Sequence, residues 1–233
     1  MARTMNKQLT LNGELLLLCE RMEMARLLNV YLHFLFRQGM VLPAVQLVNY
    51  RSLEQLKPLA ERLPDFSGSQ QVRKILILAD AQNDMEKRRN IILDVRGSAY
   101  FRSREYCAHF FFPGRGSGKR WRRGYMEDLL LETLREDAGE QSHIANLVNA
   151  SEEYLVTVNN NRDPRQRLTN HSRHLLYAFF AGTEKFVGLS LAEAAELGAF
   201  DFQHPGFQEL HKHFHELADN HKNTKRIQEG ELL

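Results

Sequence analysis

The chain has 233 residues, 43% of them hydrophobic and 26% charged, which suits a soluble globular protein with one large domain or two small ones. A formal net charge of +2 is too small to argue for a nucleic-acid partner, so any such case must come from where the charges lie. Cys19 and Cys107 make no disulfide framework, and neither a membrane-length apolar run nor a charged leader is present, so the expectation is a cytoplasmic protein without a membrane partner.

Taken in chain order, Asn12-Gly13 is a turn signal, and the run from Gly13 to Glu20 reads as a buried strand. From Met22 to Phe36 the apolar residues Met24, Leu27, Leu28, Tyr31, Leu32 and Leu35 recur at helical spacing. Pro43 to Val48 is a second strand, and Ser52 caps a helix that runs to about Arg62 and stops at Pro64. Lys74 to Asp80 is the clearest strand, followed by a charged helix from about Asp84 to Val95 and a further strand from Tyr106 to Phe112. This alternation predicts βαβ units and an α/β fold with a mostly parallel sheet flanked by helices, over residues 10–135. Beyond it the pattern is helical: Glu140 to Val158, Ser172 to Phe180, Ser190 to Leu197 and Pro205 to Ala218, with a polar loop from Asn159 to Asn170. Residues 136–219 therefore read as a helical C-terminal extension, and 220–233 as a polar, frayed tail.

Acidic residues stand where apolar runs stop. Glu20 closes Leu15-Leu16-Leu17-Leu18-Cys19, Asp80 closes Ile75-Leu76-Ile77-Leu78-Ala79, and Glu127-Asp128 opens a helix after Phe110-Phe111-Phe112-Pro113. In an open parallel sheet ligands sit outside the carboxyl ends of the strands, so these acids are expected to converge on one crevice. Such an oxygen-rich pocket suits Mg²⁺ or Mn²⁺ and phosphoryl chemistry. The bland alternative for each acid alone is a helix cap or a favourable charge at a helix N-terminus.

The order of these elements resembles the Toprim domain of topoisomerases, primases and OLD-family nucleases, which carries a glutamate after its first strand and Asp-x-Asp after a later one. It is similar, more closely, to a bacterial group of uncharacterised Toprim-like proteins. The matching elements are Asp80-Ala81-Gln82-Asn83-Asp84 before an Arg-containing helix, Phe112-Pro113-Gly114, and Gly124-Tyr125-Met126-Glu127-Asp128-Leu129-Leu130. The C-terminal run Gly188-Leu189-Ser190-Leu191-Ala192-Glu193-Ala194, with Phe200-Asp201-Phe202 and Pro205-Gly206-Phe207, extends the resemblance over residues 10–219. One departure is Gln82, which stands where the second aspartate of Asp-x-Asp would be. It offers a carbonyl oxygen but no charge, and Asp84, two residues on, is the candidate substitute. One-metal chemistry through Glu20, Asp80 and Glu127 or Asp128 stays feasible, with Glu20 as a general acid or base if the metal leaves it free.

Residues 114–124 place five cations, Arg115, Lys119, Arg120, Arg122 and Arg123, and the only tryptophan, Trp121, in a glycine-punctuated loop leading into Glu127. Arginines grip phosphate bidentately and an indole face stacks on bases, so this is the candidate nucleic-acid contact. The Gly-Ser-Gly-Lys string is not a P-loop, because Arg120 stands where Ser or Thr is required. His211 and His215 share a helix face without an H-E-x-x-H arrangement and read as a polar face.

These features together lead us to expect a Mg²⁺- or Mn²⁺-dependent nuclease acting on DNA or RNA, with Glu20, Asp80 and Glu127 catalytic. The metal set is Glu20, Asp80, Asp84, Glu127 and Asp128. The resemblance further implies an ATPase partner on another chain, in a bacterial anti-phage defence setting. The apolar C-terminal helices (Leu175, Leu176, Phe179, Phe180, Phe207, Leu210, Phe214) serve a core or a homodimer. The rival expectation is a non-catalytic nucleic-acid-binding or scaffold subunit, for which Gln82 is the best argument.

Overall fold

The four strands are β1 (Leu15–Cys19), β2 (Val45–Asn49), β3 (Lys74–Asp80) and β4 (Tyr106–Phe112), all parallel and ordered β2-β1-β3-β4. The computed structural model describes residues 9–115, 120–136, 143–168 and 170–218. Leu17 lies opposite Leu47 on one side and Leu76 on the other, and Asp80 lies opposite Phe112. Every residue of β1 and β3 is buried, which is why both read as unbroken apolar runs rather than alternating ones. Lys74 and Asp80, at the two ends of β3, are the polar exceptions, and Lys74 Nζ donates to Leu217 O at 2.8 Å.

Helices cover both faces. On one lie α2 (Leu53–Arg62), α3 (Met85–Arg96) and the short α4 (Ala99–Arg102), packed on Leu16, Leu18, Ile75, Ile77, Ala79 and Phe111. On the other lie α1 (Met22–Arg37), α5 (Met126–Glu136), α6 (His143–Asn160), α7 (His171–Ala181), α8 (Leu191–Glu196) and α9 (208–218). These share a core with Leu15, Leu17, Leu76, Leu78, Phe110 and Phe112. The helical C-terminal extension is thus built onto the sheet. Tyr31 of α1 packs against Phe207 and Phe214 at ring separations of 5.7 Å each, and its hydroxyl meets His211 Nδ1 at 2.9 Å. The apolar residues weighed above for a dimer are all buried within the chain.

The α/β alternation is therefore as the sequence predicts, with differences in detail. Helix α4 was not expected from the sequence. Helix α6 runs on through Asn160, because asparagines there bond back to the backbone: Asn161 Nδ2 donates to Thr157 O at 2.9 Å, and Asn159 Oδ1 accepts from Leu168 N at 2.9 Å. Pro64 ends α2 by starting a 3₁₀ turn, Leu63–Asp65. The expected helix start at Glu140 and the tail over 220–233 lie outside the described residues. Among the described residues no helix is long and apolar enough to cross a membrane.

Candidate functional site

From β1 the chain crosses to β2 on one side, then returns to place β3 on the other side of β1, so the sheet's switch point lies between the carboxyl ends of β1 and β3. In parallel sheets that is where a ligand crevice opens. Glu20 directly follows β1, Asp80 ends β3, and Glu127 comes from the first turn of α5. All three are buried, Asp80 and Glu127 completely.

Two arginines hold them. Arg21 grips Glu127 with both terminal nitrogens, Nη1 to Oε1 at 2.7 Å and Nη2 to Oε2 at 2.8 Å. Its Nε lies 2.9 Å from Asp80 Oδ2, but off the N–H line, so this contact is ionic and neither atom makes a hydrogen bond. Asp80 Oδ1 accepts from Met126 N at 2.7 Å, so Asp80 also serves the exposed amides at the start of α5. Glu20 Oε2 accepts from Asp80 N at 2.9 Å and from Arg88 Nη2 at 2.5 Å. Arg88 is anchored a second time, its Nε donating to Asp80 O at 2.8 Å.

Three buried carboxylates face two guanidinium groups, of which Arg88 is buried and Arg21 partly exposed. Burial raises the Asp80 carboxyl to about 7; Arg21 opposes the rise, and the charges of Glu127 and Glu20 add to it. Burial also lifts Tyr50 well above its ordinary value, with the Glu20 charge adding to the effect, and its hydroxyl donates to Leu78 O at 3.0 Å. For Arg21 burial acts to lower the pKa, but its hydrogen bonds with Glu127 and the charges of Asp80 and Glu127 outweigh this and raise it.

The remaining acids stand apart from this trio. Asp84 is exposed and caps α3, accepting from Lys87 N at 3.2 Å. Asp128 accepts from Tyr125 N at 2.6 Å through Oδ2 and from the Ser172 hydroxyl through Oδ1, so both its oxygens serve helix ends. Gln82 takes a left-handed conformation (φ 50°), and its backbone exchanges two hydrogen bonds with Gly124, 2.6 and 3.1 Å long. That bridge brings the start of α5 against the end of β3. Gly124 itself has φ +133°, and a Cβ there would meet Asp128 Oδ2 at 2.4 Å.

The cationic loop divides in two. Arg122 pairs with Glu132 at 2.6 Å and donates to Pro113 O at 3.0 Å, while Arg115 approaches Glu209 at 3.5 Å and covers the Trp121 ring at 4.9 Å. Trp121 packs edge-on against Phe110 and Phe111, with ring separations of 5.7 and 5.8 Å. Arg120 and Arg123 are exposed. Lys119 lies outside the described residues.

Three carboxylates from separate segments are the donor chemistry of a hard divalent cation, and Asp80 Oδ2, whose contact is the Arg21 ion pair rather than a hydrogen bond, is the oxygen that exchange of that cation would free. The donor set therefore fits Mg²⁺ or Mn²⁺. The spacing as it stands, with Arg21 between Asp80 and Glu127 and Glu20 turned to Arg88, forms no cluster of three metal-ligating side chains among the described residues. Arg21, Arg88 and Tyr50 are the site residues that sequence reasoning missed. Arg21 had one available signal, its place next to Glu20 at a strand end. No protein-family model, curated protein or solved structure matches the chain.

Proposed function

We propose that this chain is a Toprim-like, Mg²⁺- or Mn²⁺-dependent nuclease that cleaves phosphodiester bonds of DNA or RNA at the crevice beyond β1 and β3. The observation that carries the reading is the meeting of Glu20, Asp80 and Glu127, all buried, at the switch point of a parallel sheet. Asp80 and Glu127 would hold the ion, Glu20 completing the set, and the ion would supply Lewis-acid charge at the phosphoryl oxygen.

The chain's own residues position the rest. Arg88 fixes the Glu20 carboxylate against Asp80 N, and the Met126 amide fixes Asp80 Oδ1. The Gln82–Gly124 bridge sets the cationic loop beside the acids. Arg120 and Arg123, being exposed, are the residues to bind the flanking phosphates, with Lys119 as a third candidate. Trp121 and Arg122 shape the loop from inside, and Arg115, although exposed, is engaged by Trp121 and Glu209. An ATPase on a separate chain, restraining or licensing the nuclease in bacterial anti-phage defence, belongs to the same proposal through the family resemblance.

A second reading is a non-catalytic nucleic-acid-binding or scaffold subunit. It is favoured by Arg21 and Arg88, which balance two of the three carboxylate charges without a metal, and by Gln82 in place of a second acid. Labelled tRNA, single-stranded DNA and plasmid, each incubated with Mg²⁺, Mn²⁺ or EDTA, separate the two readings. Metal-dependent cutting by wild type that is lost in Asp80→Ala supports the nuclease. Binding without cutting, together with a melting temperature indifferent to Mn²⁺, supports the scaffold.

A further inference from the structure

Granting the metal-nuclease reading, on which this rests, we propose that Arg21 is the built-in counter-cation of the acidic crevice: its guanidinium keeps Asp80 and Glu127 in the place a divalent ion would take, and the arriving ion displaces it toward Glu23.

The geometry gives Arg21 this role and withholds it from Arg88. Arg21 presents three nitrogens to two buried carboxylates, one of them 2.9 Å from Asp80 Oδ2. It meets Asp80 through one nitrogen and Glu127 through two, so its hold on Asp80 is the weaker. Arg88 is tied both to Glu20 and to the Asp80 carbonyl, and its side chain is 9% exposed; it is part of the wall. The Arg21 side chain is 21% exposed and enters from the turn between β1 and α1, so it has a path to solvent.

It also has somewhere to go. Glu23 Oε2 already lies 3.9 Å from Arg21 Nη1, on the solvent side of the crevice. Glu23 is itself held from α7, by Arg173 at 2.5 Å and the Tyr177 hydroxyl at 3.3 Å, so the landing carboxylate is fixed in place. A guanidinium delivers one delocalised charge in a planar fork, whereas Mg²⁺ or Mn²⁺ delivers two to oxygens about 2.0–2.2 Å away. A divalent ion brings two charges to the carboxylates that Arg21 meets with one, and that difference favours exchanging the monovalent group for a divalent ion. Until the exchange occurs, the apparent metal affinity is reduced to the fraction of molecules in which Arg21 has already swung out.

The test is Mn²⁺ binding by the full chain, followed by calorimetry and by the electron paramagnetic resonance of free Mn²⁺, for wild type, Arg21→Gln, Arg21→Lys and Asp80→Asn. Circular dichroism confirms that each variant is folded. The expected result is at least ~10-fold tighter Mn²⁺ binding in Arg21→Gln, an intermediate gain in Arg21→Lys, whose single ammonium cannot span both carboxylates, and loss in Asp80→Asn. If Arg21→Gln does not fold, Arg21→Lys decides by the same criterion. Binding in the folded Arg21 variants no tighter than in wild type, with loss in Asp80→Asn, overturns the counter-cation role and leaves the metal site standing. No Mn²⁺ binding by any of the four proteins overturns the metal reading and this role together.

Discussion

Replacing Arg88 with methionine distinguishes a buried ion pair from an ornamental one. Its guanidinium serves two acceptors, Glu20 Oε2 at 2.5 Å and Asp80 O at 2.8 Å, and both side chains of the pair are under a tenth exposed. Without it the buried Glu20 carboxylate keeps only the Asp80 amide, and the Asp80 carbonyl loses its side-chain donor. Removing one partner of a buried pair costs about 3–5 kcal/mol. For a chain of this size each kcal/mol lowers the melting temperature by about 2–4 °C, which gives a fall of ~6–20 °C. Urea unfolding at neutral pH, followed by circular dichroism, measures the loss. Lys57→Met is the control, because the Lys57–Asp94 pair is 58% and 64% exposed and its removal should leave stability nearly unchanged. Adding Glu20→Gln to Arg88→Met should recover part of the loss, since the stranded charge goes with it. An Arg88→Met loss no greater than that of Lys57→Met would refute the account of the crevice as a closed ionic network.

Three further outcomes follow from other residues. Asp80, with its folded pKa raised from 3.8 to about 7, holds a proton that the unfolded chain has released, so its contribution is present at low pH and is lost as pH rises through about 7. The swing is at most about 4 kcal/mol; urea unfolding from acid to neutral pH should show wild type losing stability relative to Asp80→Asn as the pH rises, and parallel profiles would count against it. Gly124→Ala should cost about 1–3 kcal/mol in thermal unfolding, because its φ of +133° and the pinned Asp128 carboxylate both resist a side chain. Arg120→Ala with Arg123→Ala should weaken polynucleotide binding on every sequence tested and reduce the salt slope by about 1 for each cation removed, while Arg122→Ala should instead act through stability by freeing Glu132.

The strands and the acids at their ends were legible because both signals are local. A parallel strand covered on both faces must be apolar at every position, and the first polar residue past it marks the crevice, as at Glu20 and Asp80. The helical character of the C-terminal segment was equally plain from its periodicity. What completes the site was not local: Arg21 reaches Glu127 across 106 residues and Arg88 reaches Glu20 across 68, and no spacing rule announces such pairs. The capping roles of Asp84 and Asp128 left a trace, since each lies three residues from the amide it serves, but the same positions were equally open to a metal. The cationic loop read as a uniform patch, whereas folding sends Arg115 and Arg122 to carboxylates on α9 and α5 and seats Trp121 on β4; only contacts made after folding sort those residues from Arg120 and Arg123.

The central claim is that the carboxylates beyond β1 and β3 are a divalent-ion site, and anomalous scattering from a crystal soaked in Mn²⁺ tests it most directly. The account predicts one Mn²⁺ peak bounded by Asp80 and Glu127, with the Arg21 guanidinium withdrawn from between them. Arg21 still bridging the two carboxylates, with no Mn²⁺ peak in the crevice, would contradict it.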